Sequence, residues 1–433
     1  MPEVTNISSL NSSPDVGEER QRESLSPTGK AWCLTLFVAE EIPATIVIYV
    51  ALLMFLQFGM SLAEATFFSA LLFVPWALKS YFRSWVERVG QIRMLLHAVE
   101  MLLCGALVLL GYCCNKGALP VFYSLFSISL LCAIHGLASQ TCFERTIHPL
   151  YRRFLSPVGQ LCSQITIVFT YGAFIFLIGI LQIYSRNIRY SWQTGCYVAA
   201  GVLLLFTLFH LLFLTLSNDG PSVAGSKRSK EPLLTRDDFW RGASLLLLLL
   251  LPQGLMFYAR VLYLYDVHFN GGLQCTIQEI GFAQGTVGVI AFSIGLLLGR
   301  RLVRKTTLRG KSHGGGIFFW LMALSLALSP FVYLTMTVFP PHHLLHLSLC
   351  TGLAQLLFGF GLSACRFPLS DISGVRYDTM LNMLRIPPFA AAMLIPMAVS
   401  GWLVAQLGYA NFFLFNTVCA FFCLLGIFIL RRP

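Results

Sequence analysis

Twelve separate runs of about twenty continuously apolar residues restrict this chain more than any other feature. A run of that length can cross the hydrocarbon of a bilayer, where no water satisfies exposed backbone groups. Only helices, or strands closed into a barrel, hydrogen-bond their own backbone there. The runs lack the period-two alternation of barrel strands, so they read as helices. Only 11% of the residues are charged and the mean hydropathy is +0.73, whereas soluble domains carry about 25% charged residues. The fold class is therefore an all-α integral membrane protein, with spans near 34–58, 63–79, 94–112, 119–141, 157–182, 193–217, 241–264, 281–299, 316–338, 345–365, 386–405 and 410–430.

The net charge of +11 would point to nucleic acid in a soluble protein. Here Lys and Arg follow the positive-inside rule, and no nucleic-acid partner is expected. With both termini cytoplasmic, 26 of the 30 basic residues fall on the cytoplasmic side, and only Lys116, Arg186, Arg189 and Arg260 fall opposite. The location this predicts is the cell membrane, the inner membrane in a bacterium. Thirteen Cys lie mostly inside apolar runs without CxxC spacing, so they read as small core residues. His342, His343 and His346 lack a supporting carboxylate and read as solvated loop histidines. No metal or cofactor is expected.

Residues 1–30 are polar and Ser-rich and read as a disordered cytoplasmic tail. The longest later polar stretch, 218–238, holds Gly220, Pro221, Gly225 and a basic run, and reads as a flexible linker. It divides six spans in 31–217 from six in 239–433. A basic loop follows the second span of each half, which is weak internal repetition. A 6+6 repeat is the architecture of the major facilitator superfamily.

Ionisable residues inside spans are functional candidates by default, because burying them in lipid is expensive. Glu40 and Glu41 lie a third of the way into the first span, and Glu100 lies two turns into the third. Glu41 is preferred as a proton carrier, since Pro43 opens the local hydrogen bonding; snorkelling to the interface is the alternative. His135 and Gln140 either line a cavity or bond to neighbouring helices. In the seventh span, Pro252-Gln253-Gly254 interrupts the helix before Tyr258 and Arg260. Arg260 either grips an anionic substrate, snorkels outward, or pairs with Asp266 or Glu279.

Trp85-Val-Glu87-Arg88-Val-Gly90-Gln-Ile-Arg93 resembles the major facilitator signature loop G-x-x-x-D-R-x-G-R-[RK], with Glu87 for Asp and Arg83 for the leading Gly. The resemblance implies a conformational latch of Lys79, Glu87, Arg88, Gly90 and Arg93, made in one state and broken in another. Glu40-Glu41-Ile-Pro43, Phe73-Val-Pro75-Trp76-Ala-Leu-Lys79, Ala138-Ser-Gln140-Thr-Cys-Phe-Glu144-Arg145, Gln278-Glu279-Ile280-Gly281 and Ser400-Gly401-Trp402 occur in an order similar to that of AmpG-type permeases. Both Asp of that group's fourth-helix motif are Thr141 and Glu144 here, and its first-helix Gly is Glu41. This likeness implies proton-linked uptake of solutes such as muropeptides, with acetyl-CoA carriers as distant relatives.

Together these readings predict a secondary transporter for a small anionic, sugar-like or peptide-like solute, working by alternating access and coupled to protons. An integral membrane enzyme would need a clustered catalytic set, and the sequence holds none. A membrane sensor that does not transport is the other alternative.

Overall fold

The computed structural model describes residues 27–147, 149–213, 237–308, 316–373 and 385–430. Most of the tail 1–30 and of the linker 218–238 lies outside the described residues. The expected spans are all present, most of them longer than the apolar runs. They are α1 (Ala31–Gln57), α2 (Leu62–Arg88), α3 (Ile92–Cys113), α4 (Ala118–Thr146), α5 (Phe154–Ser185) and α6 (Ile188–Phe213) in the first half. The second half holds α7 (Trp240–Tyr265), α8 (Ile277–Val303), α9 (Gly316–Val338), α10 (Leu344–Leu369), α11 (Pro387–Leu407) and α12 (Tyr409–Leu430). The sides that face away from the bundle carry exposed Leu102, Phe169, Leu205 and Phe422. Such surface is stable only against lipid, so this is a multi-pass membrane protein.

Twelve is an even number, so the start of α1 and the end of α12 lie at one end of the bundle, here called the terminal end; the other is the distal end. Each half packs largely on itself, α3 on α4 and α6, and α10 on α8 and α9. The halves meet where α2 packs on α11 and α5 on α8. Both contacts depend on missing side chains. A Cβ on Gly401 would stand 2.1 Å from the Leu62 carbonyl oxygen, and one on Gly285 would stand 2.5 Å from the Tyr171 carbonyl carbon. The Gly401 N–H also donates across the interface to Thr66 Oγ1 at 3.2 Å.

Three helices loosen where they pass the middle of the bundle. Ile46–Val50 of α1, Val168–Ala173 of α5 and Gly281–Gly288 of α8 are π-helical. Wider turns of this kind recur at functional sites, because they re-aim side chains and free backbone carbonyls. All three supply walls to one central cavity.

Candidate functional site

The cavity lies between the halves and is lined from both. Glu41, Thr45, Ile48 and Tyr49 come from α1, and Gln164, Ile167 and Tyr171 from α5. The second half adds Arg260, then Gln284, Gly288, Val289 and Phe292 of α8, then Gln355, Phe358 and Leu362 of α10, and Arg385 just before α11. Its volume is about 40 Å³, room for about three waters at roughly 10–15 Å³ each. A solute larger than this finds room only if the halves part.

Arg260 is buried and lies over two aromatic faces, its Cζ 5.0 Å from the Phe257 ring centroid and 5.6 Å from that of Phe358. Its Nε has no hydrogen-bond partner, and among the described residues no carboxylate lies within ion-pair distance. Both partners weighed from the sequence are engaged elsewhere. Asp266 accepts from Tyr409 Oη at 2.9 Å and from Asn270 at 3.0 Å, while Glu279 caps α8 through Thr276. Cation–π contact recovers part of the desolvation cost of a guanidinium, not all of it. Tyr49 and Tyr171 stack nearby with centroids 5.1 Å apart.

A second charged group sits toward the terminal end. Arg385 donates through Nη1 to Glu40 Oε1 at 2.8 Å and through Nη2 to Glu41 Oε1. These residues are 345 and 344 positions apart, one from each half. Lys79 Nζ and Glu40 Oε1 both lie against Gly136, at 3.0 and 2.7 Å from the point a Cβ would take. The two carboxylates are thus faced by two cations, which leaves Arg260 as the one uncompensated charge at the cavity among the described residues. Glu40, a candidate by its place in the first span, is tied across the halves.

Amide groups fill much of the remaining wall. Gln355 Nε2 donates to Gln284 Oε1 at 2.9 Å, and Gln284 Nε2 donates to Tyr333 Oη at 2.8 Å. Ser293 donates to Gln164 Oε1 at 2.9 Å. Sequence reasoning overlooked Arg385, the three Gln and both Tyr. Arg385 looked like one more cytoplasmic cation, and a Gln in an apolar run carries no signal of which way it faces.

The remaining sequence candidates lie elsewhere. Glu100 and His135 are buried together inside the first half, away from the cavity. Gln140 donates to Glu144 on its own helix at 2.9 Å. Gln253 donates to the Leu326 carbonyl at 2.8 Å, and Tyr258 donates across the halves to the Ser69 carbonyl at 3.1 Å. Pro252 leaves α7 unbroken; its carbonyl accepts from Asn416 at 3.1 Å. The stretch expected as a latch loop is helical as far as Arg88, because Lys79 to Arg88 continue α2. Within it Arg83 pairs with Glu87 at 2.7 Å, four residues along the helix. Arg145 of α4 donates to the Glu87 and Val89 carbonyls at 2.9 and 3.2 Å. Gly90 sits in the short turn before α3, with open space around it, and Arg93 is buried in the first turn of α3. These contacts of Glu87 and Val89 join α2 to α4 inside one half.

By sequence, no protein-family model and no curated protein matches the chain. By structure it matches a POT family transporter in complex with a thioalcohol-conjugated peptide, with TM-score 0.67, 14% identity, 93% of this chain and 97% of that one. It also matches an inward-facing, unoccupied bacterial homologue of the human lysosomal transporter Spinster, with TM-score 0.62, 14% identity and coverage of 94% and 99%. The nucleoside transporter NupG matches with TM-score 0.59, 14% identity and coverage of 93% and 99%. The chain therefore shares the twelve-helix fold of these transporters. Identity this low carries the fold and leaves the solute open.

Proposed function

We propose that the chain is a secondary transporter that carries a small monoanionic solute by alternating access. The observation that carries this reading is Arg260, a buried guanidinium with no carboxylate partner among the described residues, facing a cavity between two halves. A carboxylate or phosphate would give it two parallel hydrogen bonds and cancel its charge. Gln164, Gln284 and Gln355 each both donate and accept, which suits the uncharged polar part of such a solute. The solved structures of this fold include transporters for peptides and nucleosides, which supports transport as the activity.

Arg385 with Glu40 and Glu41 then forms the gate at the terminal end. The pair holds the halves together there, and parting them exposes its charges to water, where they are stable singly. Coupling to protons is the further part of this reading, and the AmpG-type pattern around Glu41 and Lys79 supports it. The crowding of Lys and Arg at the terminal end supports cytoplasmic termini in a cell membrane.

The test is uptake by vesicles reconstituted with the purified protein. The probes are radiolabelled lactate, glutamate, dialanine, glucose 6-phosphate and uridine. Saturable uptake of at least one acidic probe is expected, and Arg260→Ala should weaken its binding by about 2–5 kcal/mol, the range for a desolvated charge pair. Uptake of uridine alone, or unchanged affinity in Arg260→Ala, would overturn the anion reading.

A further inference from the structure

The core of the first half holds a cluster of ionisable groups that takes no part in the cavity. Glu100 of α3, His135 of α4 and His210 of α6 are each fully buried. Glu100 Oε1 lies 2.8 Å from His210 Nδ1 and 3.3 Å from His135 Nε2. Glu100 Oε2 has no hydrogen-bond partner, and His97 Nδ1 is 4.0 Å from it. The far nitrogen of His210, Nε2, lies 2.9 Å from Thr35 Oγ1 of α1. Thr35 is also within 3.1 Å of the Ala31 carbonyl and 3.0 Å of the Trp32 carbonyl.

No Lys or Arg pairs with Glu100 among the described residues. An ionised carboxylate surrounded by neutral imidazoles would be a net buried negative charge, which a low-dielectric core strongly disfavours. The cluster reaches neutrality by keeping one proton more than neutral imidazoles hold. That proton sits either on Glu100 or on a histidine as imidazolium, and each arrangement supplies one hydrogen to the 2.8 Å contact. The same neutrality argument does not apply at Glu40 and Glu41, which have Arg385.

The cluster also adjoins the gate. The residue after His135 is Gly136, and the place of its missing Cβ is 2.7 Å from Glu40 Oε1 and 3.0 Å from Lys79 Nζ. The charged or titratable groups around Glu100 are His97 and Cys104 on its own helix, His135 on α4 and His210 on α6. Glu40 of α1 and Lys79 of α2 stand beyond Gly136. Filling or emptying the cluster therefore changes the charge one helix position from the gate.

We propose that Glu100, His135 and His210 form a binding site for one proton, separate from the solute cavity, whose occupancy drives transport through the Glu40–Arg385 gate. The coupling part rests on the transport reading above; the binding of the proton does not. In the unfolded chain at pH 8 the Glu is ionised and the His are largely neutral. A native state that holds one further proton releases it on unfolding, so stability falls as pH rises.

Reversible unfolding in mixed detergent–SDS micelles between pH 7.5 and 8.5 tests the binding. The folding constant of the wild type should fall up to tenfold more steeply per pH unit than that of Glu100→Gln. His210→Gln leaves the Glu100 carboxylate buried without a cation, so it should keep the steep slope of the wild type. A Glu100→Gln slope coincident with those of the wild type and His210→Gln would overturn the proton site whether or not the protein transports. Vesicles with an imposed pH gradient test the coupling with whichever acidic probe is carried. Glu100→Gln should lose accumulation and keep exchange. Wild-type accumulation in that variant, alongside an altered slope, would leave a bound proton but overturn its coupling role.

Discussion

On the distal side the halves meet backbone to backbone, through Gly401 against Leu62 near the helix ends and Gly285 against Tyr171 at the π-helical turns nearer the middle. At the terminal end Arg385 joins them to Glu40 and Glu41. Close packing without side chains is stiff and insensitive to solutes or pH. A buried ion pair depends on the charges of its partners, so an anion or a proton can compete for it. The contrast assigns different tasks to the two closures: the distal one resists by shape, and the terminal one is open to chemical control.

Arg385→Leu would strain this comparison most. It leaves Glu40 and Glu41 side by side without their guanidinium, and losing one partner of a buried pair costs about 3–5 kcal/mol. A large fall in melting temperature is expected, with labelling at the terminal end of the cavity becoming faster. Unchanged labelling would mean that the pair does not hold the gate. Gly285→Ala tests the distal side. Its Cβ must push α5 from α8, at about 1–3 kcal/mol for overpacking. Stability should fall less than in Arg385→Leu, and cysteines placed at the distal end should gain accessibility. Equal effects on both ends would erase the distinction. The smallest effect is expected at Glu87→Gln, which removes a pair exposed at both members. Such pairs contribute about 0.3–0.5 kcal/mol, so melting should barely change; any loss of transport rate would then report a latch in another conformation.

Much of the fold was legible. Span number and helical character followed from runs of apolar residues, and each of the twelve spans is present. The site was legible only in part. Glu41 and Arg260 stood out because charge is rare in apolar runs, and both line the cavity. Arg385 did not stand out, since it lies at a span end where the positive-inside rule already expects a cation. Gln253 and Gln140 attracted attention by the same rule of polarity, yet Gln253 anchors α7 to α9 and Gln140 bonds within α4. Polarity inside a span marks a need for a partner, and backbone carbonyls or helix neighbours meet that need as often as a solute does. The helical Lys79 to Arg88 segment was read as loop because its polar residues end the apolar run, although nothing in them breaks a helix.

What the sequence determined by itself is set by the bilayer. Hydrocarbon thickness requires spans of about twenty residues, and the absence of water requires that they be helices. Both requirements are local, so they can be read along the chain. Which charges meet is not local. Glu41 and Arg385 are 344 residues apart, and His210 reaches Glu100 across 110. Only the packing of α1 against the second half, and of α3 against α4 and α6, brought those groups within hydrogen-bond distance. The same packing left Arg260 without a carboxylate partner among the described residues, because Asp266, six residues away, turned to Tyr409 instead.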